Sequence, residues 1–248
     1  MRIVILIVPF LLATKVFSQN NNVKQNEDER KGFASVNLGV SIPTGNFSSD
    51  NFNNNESGFA TGGAVFDISV GYKLRPKLGV TAVWRGQANG IDAATYAQSL
   101  ANYFGSGSVS VETSAYSLGG IMAGLYGSFP IAENFRFEPR ALIGFSAATL
   151  PERTTVAYSS SGTKLVTWSQ DQAETVAFSY ILGLGGKLDL SKKICLLFNA
   201  DFYAANAEWG NVREISIGHV TGSTEINNYY HNQNFRTVNL SAGLGLRF

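Results

Sequence analysis

The chain has 248 residues, of which 44% are hydrophobic, 12% aromatic and only 15% charged, and its formal net charge is +1. A charge this close to zero argues against a nucleic-acid partner, because such a partner requires a basic surface. Cys195 is the single cysteine, so the sequence excludes an intrachain disulfide and a cysteine-based metal site.

The N-terminus has the three regions of a secretory signal peptide. Arg2 supplies a positive charge, residues 3–13 form an apolar stretch, and residues 16–18 offer a cleavage site before Gln19. Such a segment is too short to span a bilayer as a helix. The sequence therefore predicts three parts, namely a signal peptide at residues 1–18, a flexible periplasmic lead-in at 19–32 and one folded domain at 33–248.

Eight stretches of that domain alternate apolar and polar residues with a period of two, which is typical of β-strands with one apolar face. They are residues 33–42, 61–74, 78–88, 113–129, 135–149, 174–190, 194–204 and 238–248. The last stretch is the most regular, because every second residue from Val238 to Phe248 is apolar. In the fourth stretch frequent glycine leaves the facing of the side chains ambiguous.

The connections between these stretches alternate strictly between short and long. The short ones are residues 75–77, 130–134 and 191–193, and the long polar ones are residues 43–60, 89–112, 150–173 and 205–235. All short turns then emerge at one end and all long loops at the other, as in bacterial outer-membrane barrels. The sequence therefore predicts an eight-stranded antiparallel up-and-down transmembrane β-barrel with short periplasmic turns and four long extracellular loops.

Two further features bear on this fold. Aromatic residues near the strand ends predict girdles at the membrane interfaces; they are Phe33, Tyr72, Trp84, Tyr126, Phe135 and Phe248. The alternative is a soluble lipocalin-like barrel, which would place its apolar side chains inside and its polar side chains outside.

Charged residues on the polar strand faces are predicted to line the interior. The candidate network consists of Asp67, Arg85, Arg136, Glu138, Arg140 and Asp201. Because eight strands enclose only enough space for side chains, these charges should pair and plug the lumen. The alternative is a gated path for ions or protons.

The external loops offer the candidate binding residues. Asn227, Tyr229, Tyr230 and His231 combine aromatic rings with polar groups, a composition suited to sugar or protein surfaces. In the second loop, residues 92–104 are predicted to form an amphipathic helix that Asp92 caps and Gly105 ends. This helix is either a lid on the barrel mouth or a docking site.

The last loop also contains residue types that occur in catalytic sites. A Ser–His–carboxylate set is conceivable from its residues, namely Ser216, Ser223, Glu214, Glu225, His219 and His231. No nucleophile elbow or motif of fixed spacing supports this set. The twelve-residue separation of His219 and His231 fixes no metal geometry. The sequence therefore predicts no enzyme, no catalytic residue, no metal and no cofactor.

The regular closing strand with its terminal Phe248, together with the loop asymmetry, resembles small outer-membrane barrels of the OmpA/OmpX-like and opacity-protein type, as found in Bacteroidetes-like genomes. The resemblance covers residues 32–248 and departs from the type at Leu246, where many closing strands carry an aromatic residue. It does not extend to the peptidoglycan-binding domain of full OmpA, so wall anchoring is not carried over.

The resemblance implies a location in the bacterial outer membrane and a structural or surface-interaction role. The implied partners are outer-membrane lipids including lipopolysaccharide, the barrel-assembly machinery, and an extracellular sugar or protein ligand. The alternatives are a narrow porin-like or transport-associated channel, and a lipid-A-modifying outer-membrane enzyme.

Overall fold

A computed structural model describes residues 30–105 and 107–248. The predicted signal peptide and residues 19–29 of the predicted lead-in lie outside the described residues. The described part of the chain is all-β, with twelve strands, one α-helix and one 3-10 helix. Within this part, no helix has the length and hydropathy that a membrane span requires.

The strands differ widely in length, from two to 25 residues. The strands are β1 (Gly32–Pro43), β2 (Ala60–Arg75), β3 (Leu78–Ile91), β4 (Ser108–Thr113), β5 (Tyr116–Gly127), β6 (Phe129–Pro130), β7 (Phe135–Leu150), β8 (Arg153–Tyr158), β9 (Lys164–Gln170), β10 (Ala173–Asp189), β11 (Ile194–Gly218) and β12 (Ser223–Arg247). The helices are a 3-10 helix at Gly45–Ser48 and α1 at Ala93–Phe104.

The strands form one sheet in which all pairings are antiparallel. Pairing leads from β1 through β2, β3, β5, β7, β10 and β11 to β12, and β12 pairs with β1. From β11 the sheet also branches through β9 and β8 to β4, and the short β6 pairs with β7. The described part of the sheet thus has twelve strands, so the predicted number of eight is not confirmed.

The difference arises in two segments that the sequence predicted to be loops. Residues 205–218 and 223–235 are the outer parts of β11 and β12, which pair almost without interruption up to a turn at residues 219–222. Residues 150–173 contain β8 and β9. Polar residues are frequent in both segments, so their alternation is weak in the sequence, although Ala207, Trp209 and Val212 are buried on the inner face. The backbone hydrogen bonds to neighbouring strands still form.

The predicted helix in the second loop is confirmed. Asp92 Oδ1 accepts a hydrogen bond from the backbone N–H of Thr95 at 3.0 Å, and Gly105 ends α1 in the left-handed conformation with φ of 61°. The hydrogen bonds from Thr95 hold the pKa of Asp92 below its ordinary value. Leu100 is the buried residue of this helix.

The long strands carry a band of exposed apolar side chains on their outer face. On β10, for example, Val176 is 70% exposed, whereas Ile181 on the inner face is fully buried. The same band runs along β12 up to Val238. The next outward positions are the polar residues Arg236 and Asn234, which lie towards the turn between β11 and β12, at what we call the hairpin end of the barrel. Apolar groups outside and charged groups inside are the reverse of the arrangement in a soluble lipocalin-like barrel.

Two of the predicted girdle aromatics face the interior instead. Phe33 and Tyr126 are buried and meet edge to face with ring centroids 5.7 Å apart. The Lys187 ammonium lies 4.0 Å from the centre of the Phe33 ring. A Cβ at Gly71 or Gly79 would overlap these rings, so the two glycines make room for the aromatic pair. The prediction of a girdle role for Phe33 and Tyr126 was therefore wrong.

Substitution of the outer apolar band tests its contact with lipid. Leu182 on β10 is 55% exposed and Ile226 in the outer part of β12 is 58% exposed. We expect Leu182→Arg to lower the free energy of unfolding by about 2–4 kcal/mol in lipid vesicles, because it places a charge in the hydrocarbon. Ile226→Arg, equally exposed but beyond the band, should change it by less than about 0.5 kcal/mol. Urea titration measures both, and equal effects would contradict a lipid-facing band.

Candidate functional site

The interior is closed at the hairpin end by a cluster of aromatic rings. Phe47 comes from the 3-10 helix of the first loop and is fully buried against Phe235 and Tyr116, with ring centroids at 4.9 and 5.2 Å. The loop is held inward by backbone hydrogen bonds from Thr44 to Arg236 at 2.8 Å and from Gly58 to Asn46 at 2.9 Å. The plug at this end is apolar, whereas the sequence predicted only polar and charged side chains.

Below the aromatic plug, four of the six predicted interior charges form one cluster. Arg85 binds Asp67 through Nε–Oδ1 at 2.6 Å and Nη2–Oδ2 at 2.8 Å. Asp201 accepts from Arg85 at 2.5 Å and from both Nε and Nη2 of Arg140 at 3.0 and 2.6 Å. The cluster is almost inaccessible to solvent. A Cβ at Gly183 would overlap Asp201 Oδ1, so this glycine leaves space for the cluster.

The other two predicted interior charges, Arg136 and Glu138, form ion pairs at different depths in the barrel interior. Glu138 accepts from Lys187 Nζ at 2.9 Å and from Ser128 Oγ at 3.1 Å. Arg136 lies 3.6 Å from Asp189, which also binds an arginine on β12 at 3.0 Å. Successive inward positions on β7 are about 6.6 Å apart along the strand. Arg136 and Glu138 therefore do not reach the central cluster that Arg140 joins.

Removal of one central charge tests the energetic role of the cluster. Asp201→Asn leaves two buried arginines with one carboxylate, and we expect it to lower the free energy of unfolding by about 3–5 kcal/mol. Asp171→Asn is the matched control, because Asp171 pairs with Arg213 at 3.1 Å with both side chains about half exposed. That change should cost less than about 1 kcal/mol. A similar loss in both variants would contradict a structural role for the cluster.

The four predicted binding residues lie in the outer part of β12 rather than in a loop. Because side chains alternate along a strand, Asn227, Tyr229 and His231 project to one face and Tyr230 to the other. Tyr229 and His231 are half-buried, and Tyr230 is 58% exposed. Tyr229 and His231 therefore face the inner side of the β11–β12 hairpin, whereas Tyr230 projects from its outer side.

Tyr229 belongs to a hydrogen-bond network of side chains that the sequence did not reveal. Its hydroxyl donates to Gln170 Oε1 at 2.6 Å, and Arg153 Nη2 donates to the same oxygen at 2.9 Å. Gln170 Nε2 in turn donates to the carbonyl of Pro151 at 2.8 Å. The Arg153 guanidinium lies over the Tyr96 ring of α1, 4.7 Å from its centre. Burial raises the pKa of Tyr229 to about 12, so this hydroxyl remains a donor at neutral pH.

His231 lies next to this hydrogen-bond network and closer to the barrel interior. Its ring is 5.7 Å from the Trp209 ring and 6.4 Å from the Tyr229 ring. Nε2 is buried and has no hydrogen-bond partner among residues 30–105 and 107–248. Burial, with a smaller contribution from the positive charge of Arg153, lowers the pKa of His231 to about 4. The imidazole is therefore neutral at physiological pH.

These side chains border two adjoining cavities between α1 and the outer sheet, by which we mean β8, β9 and the outer part of β11. The inner cavity has a volume of about 40 Å³ and includes His231 in its wall. The outer one, which we call the external cleft, has a volume of about 170 Å³. The external cleft is lined by Tyr96, Leu100, Phe104, Arg153, Thr155, Trp168, Gln170 and Glu214. Tyr96, Arg153 and Gln170 border both cavities.

Sequence reasoning missed most of the external cleft. The amphipathic helix at residues 92–104 was predicted, but the surface against which it packs was not. Arg153 and Gln170 belong to β8 and β9, whose weak alternation within a polar segment was the available signal. Glu214 was considered only as part of a catalytic set.

The structure separates the histidines of that conceivable catalytic set. His219 lies at the exposed hairpin turn, where its Nε2 is 2.8 Å from Thr167 Oγ1. His231 lies near the base of the hairpin against Trp209. Within the described ranges, no three His, Cys, Asp or Glu side chains form a group that could hold a metal ion. The absence of enzymatic activity stays a prediction.

Comparison with known proteins supports the fold but does not assign the chain to a family. No protein-family model matches the chain, and no curated protein matches it. A major outer membrane protein from Thermus thermophilus has a similar structure, with a TM-score of 0.51 and 10% identity over 88% of this chain and 99% of that chain. The protein therefore has the fold of an outer-membrane β-barrel, which supports a location in the bacterial outer membrane.

Two other solved structures are more distant. The attachment invasion locus protein Ail of Yersinia pestis gives a TM-score of 0.39 with 12% identity over 88% of this chain and 99% of that chain. The outer membrane protease OmpT of Escherichia coli gives 0.43 with 9% identity over 90% and 98% of the two chains.

The low pKa of His231 predicts a pH dependence of stability. The native state keeps this imidazole neutral down to pH about 4, whereas the unfolded state takes up a proton near pH 6.5. Stability should therefore be unaffected above pH 6.5 and fall between pH 6.5 and 4, by at most ~3 kcal/mol. His231→Gln should flatten this part of the profile. Urea titrations at a series of pH values measure it, and an unchanged profile in the variant would contradict the assignment.

Proposed function

We propose that the protein is an integral outer-membrane barrel of the OmpA/OmpX-like and opacity-type class, with a surface-interaction role carried by its external part. In this proposal the eight long strands of the ring from β1 to β12 form the transmembrane wall. The start of β1 and the end of β12 then face the periplasm. The observation that carries the proposal is the folded structure above the apolar band, where α1 and the outer sheet enclose a cleft whose charged groups have no ion-pair partner among the described residues.

The proposed role does not include conduction. Phe47, Phe235 and Tyr116 fill the interior at the hairpin end, and the Arg85–Asp201 cluster spans it below. Eight strands leave little free cross-section even before such packing. A narrow channel would need these contacts to open together, and each contact is buried.

The proposed role does not include catalysis either. A lipid-A-modifying enzyme would need a nucleophile or general base near the membrane rim with a partner in hydrogen-bond reach. His231 Nε2 has no partner in the described residues, and Ser57, the serine that borders the inner cavity with His231, instead donates to Ser49 Oγ at 2.9 Å. Lipopolysaccharide is therefore proposed as a surrounding lipid rather than as a substrate, and the barrel-assembly machinery as the partner that recognises the closing strand.

Truncation of the external hairpin tests the proposed role. Trp209 pairs with His231 across β11 and β12, so residues 210–230 can be replaced by a two-residue Asn-Gly turn that suits a hairpin. Bacteria that display the intact protein should adhere several-fold more strongly than vector-only cells to epithelial monolayers or to sister cells. The truncated protein should lose this gain because it lacks Glu214 and the outer part of both strands.

Heat-modifiable gel migration provides the control that the truncated barrel still folds and inserts. An epitope tag in the hairpin turn, read on intact cells, provides the control that the full protein reaches the surface. Equal adherence of displaying cells and vector-only cells, with surface display established, would contradict the proposed role.

A further inference from the structure

The external cleft has the dimensions of a site for one ring-sized ligand. Its volume of about 170 Å³ is close to the ~150 Å³ of an engineered protein cavity that accommodates a benzene molecule. The cleft lies between a helix and three strands, and ligand sites form preferentially in such concave junctions. The strands β8, β9 and β11 hold its polar residues on a hydrogen-bonded sheet, so these residues are positioned before any ligand arrives.

One wall of the cleft offers hydrogen-bond donors. A guanidinium has five N–H groups, and Arg153 uses one hydrogen bond to Gln170 Oε1 while its face covers Tyr96. Arg153 has no ion-pair partner in residues 30–105 and 107–248. Several of its N–H groups are therefore available to a ligand in the cleft.

The same sheet also offers hydrogen-bond acceptors, because Arg153 on β8 and Glu214 on β11 both pair with Gln170 on β9. Glu214 on β11 also borders the cleft, and its carboxylate forms no ion pair with the part of the chain that the structure describes. An available cation and an available anion in one cleft favour a ligand whose groups both donate and accept. Neighbouring hydroxyl groups have this property, whereas a purely anionic ligand would be repelled by Glu214.

The remaining wall is apolar and partly aromatic. Phe104 at the end of α1 stacks on Trp168 of β9 with ring centroids 5.3 Å apart and an interplanar angle of 18°. Leu100 lies beside them. A pyranose ring presents C–H groups on one face and hydroxyl groups around its edge. The C–H face can pack against this wall while the hydroxyl groups reach Arg153 and Glu214.

We propose that the external cleft binds one neutral pyranose unit of a cell-surface or environmental polysaccharide, with Arg153 and Glu214 as hydroxyl ligands and Trp168 as the apolar wall. This inference rests on the proposed function insofar as the cleft must face the outside of the cell. It assigns the ligand to a site on α1, β8, β9 and β11, rather than to the predicted segment around Tyr230.

The experiment is a titration of the full-length protein, refolded in detergent micelles, with the methyl β-glycosides of glucose, galactose and N-acetylglucosamine. Saturation-transfer NMR detects binding, and calorimetry gives the dissociation constant. We expect at least one glycoside to bind with a dissociation constant of about 1–10 mM, as for other small ligands with few contacts. L-phenylalanine, which has a ring and both charges but no hydroxyl on its ring, serves as the non-saccharide probe.

Point variants assign the binding to the cleft. Arg153→Gln and Glu214→Gln should each weaken glycoside binding about tenfold, because each removes a charge-assisted hydrogen bond. The matched control is Arg213→Gln, since Arg213 lies on β11 but pairs with Asp171 at the surface. It should leave binding within about twofold of the original. Gel migration of the heated and unheated protein checks that each variant is folded.

Three results would overturn the inference. The first is no glycoside binding at about 100 mM, which is a hundred times the tighter dissociation constant expected. The second is equal binding in the cleft variants and the control, and the third is binding of phenylalanine in preference to every glycoside. Loss of adherence on hairpin truncation, without glycoside binding, would leave the proposed function standing and remove the saccharide site. Glycoside binding that depends on Arg153, in cells without adherence, would support the site and contradict the adherence role.

Discussion

The pairing of buried charges across a narrow interior is the constraint on which the rest of the structure depends. Asp201 on β11 accepts hydrogen bonds from Arg85 on β3 and Arg140 on β7, and Arg85 also binds Asp67 on β2. Two arginines and two aspartates thus neutralise one another out of reach of water, where an uncompensated charge is expensive. The cluster joins four strands across the interior, so each strand is limited to the register that brings its charge to this level.

The same constraint explains what surrounds the cluster. Gly183 is small because Asp201 occupies the space that a side chain would take. Aromatic rings close the interior on both sides of the charges, with Phe47 and Phe235 at the hairpin end and Phe33 and Tyr126 at the other. A closed interior leaves the outside of the barrel and its external part as the surfaces that can meet other molecules. The external cleft lies on the second of these surfaces.

The external part is built by extension of the barrel rather than by addition of a domain. β11 and β12 continue past the apolar band, and β9, β8 and β4 add to the edge that β11 provides. This arrangement covers the edge of β11 beyond the barrel, and the short strand β4 becomes the outermost strand on that side. It also carries Arg153, Gln170 and Glu214 onto one rigid sheet opposite α1, whose capping by Asp92 and Gly105 fixes where the helix begins and ends.

The sequence by itself determined the alternation of the long strands, the outer apolar band, the interior position of Asp67, Arg85 and Asp201, and the bounds of α1. These features follow from local periodicity and capping, which neighbouring residues encode. The tertiary structure decided that Arg140 but not Arg136 joins Asp201, because partner choice depends on the stagger between strands. It also decided that residues 205–218 and 223–235 are strands and that Arg153 and Glu214 lie beside the same cleft. Segments without a strong alternation form strands through hydrogen bonds to distant neighbours, which no local pattern records.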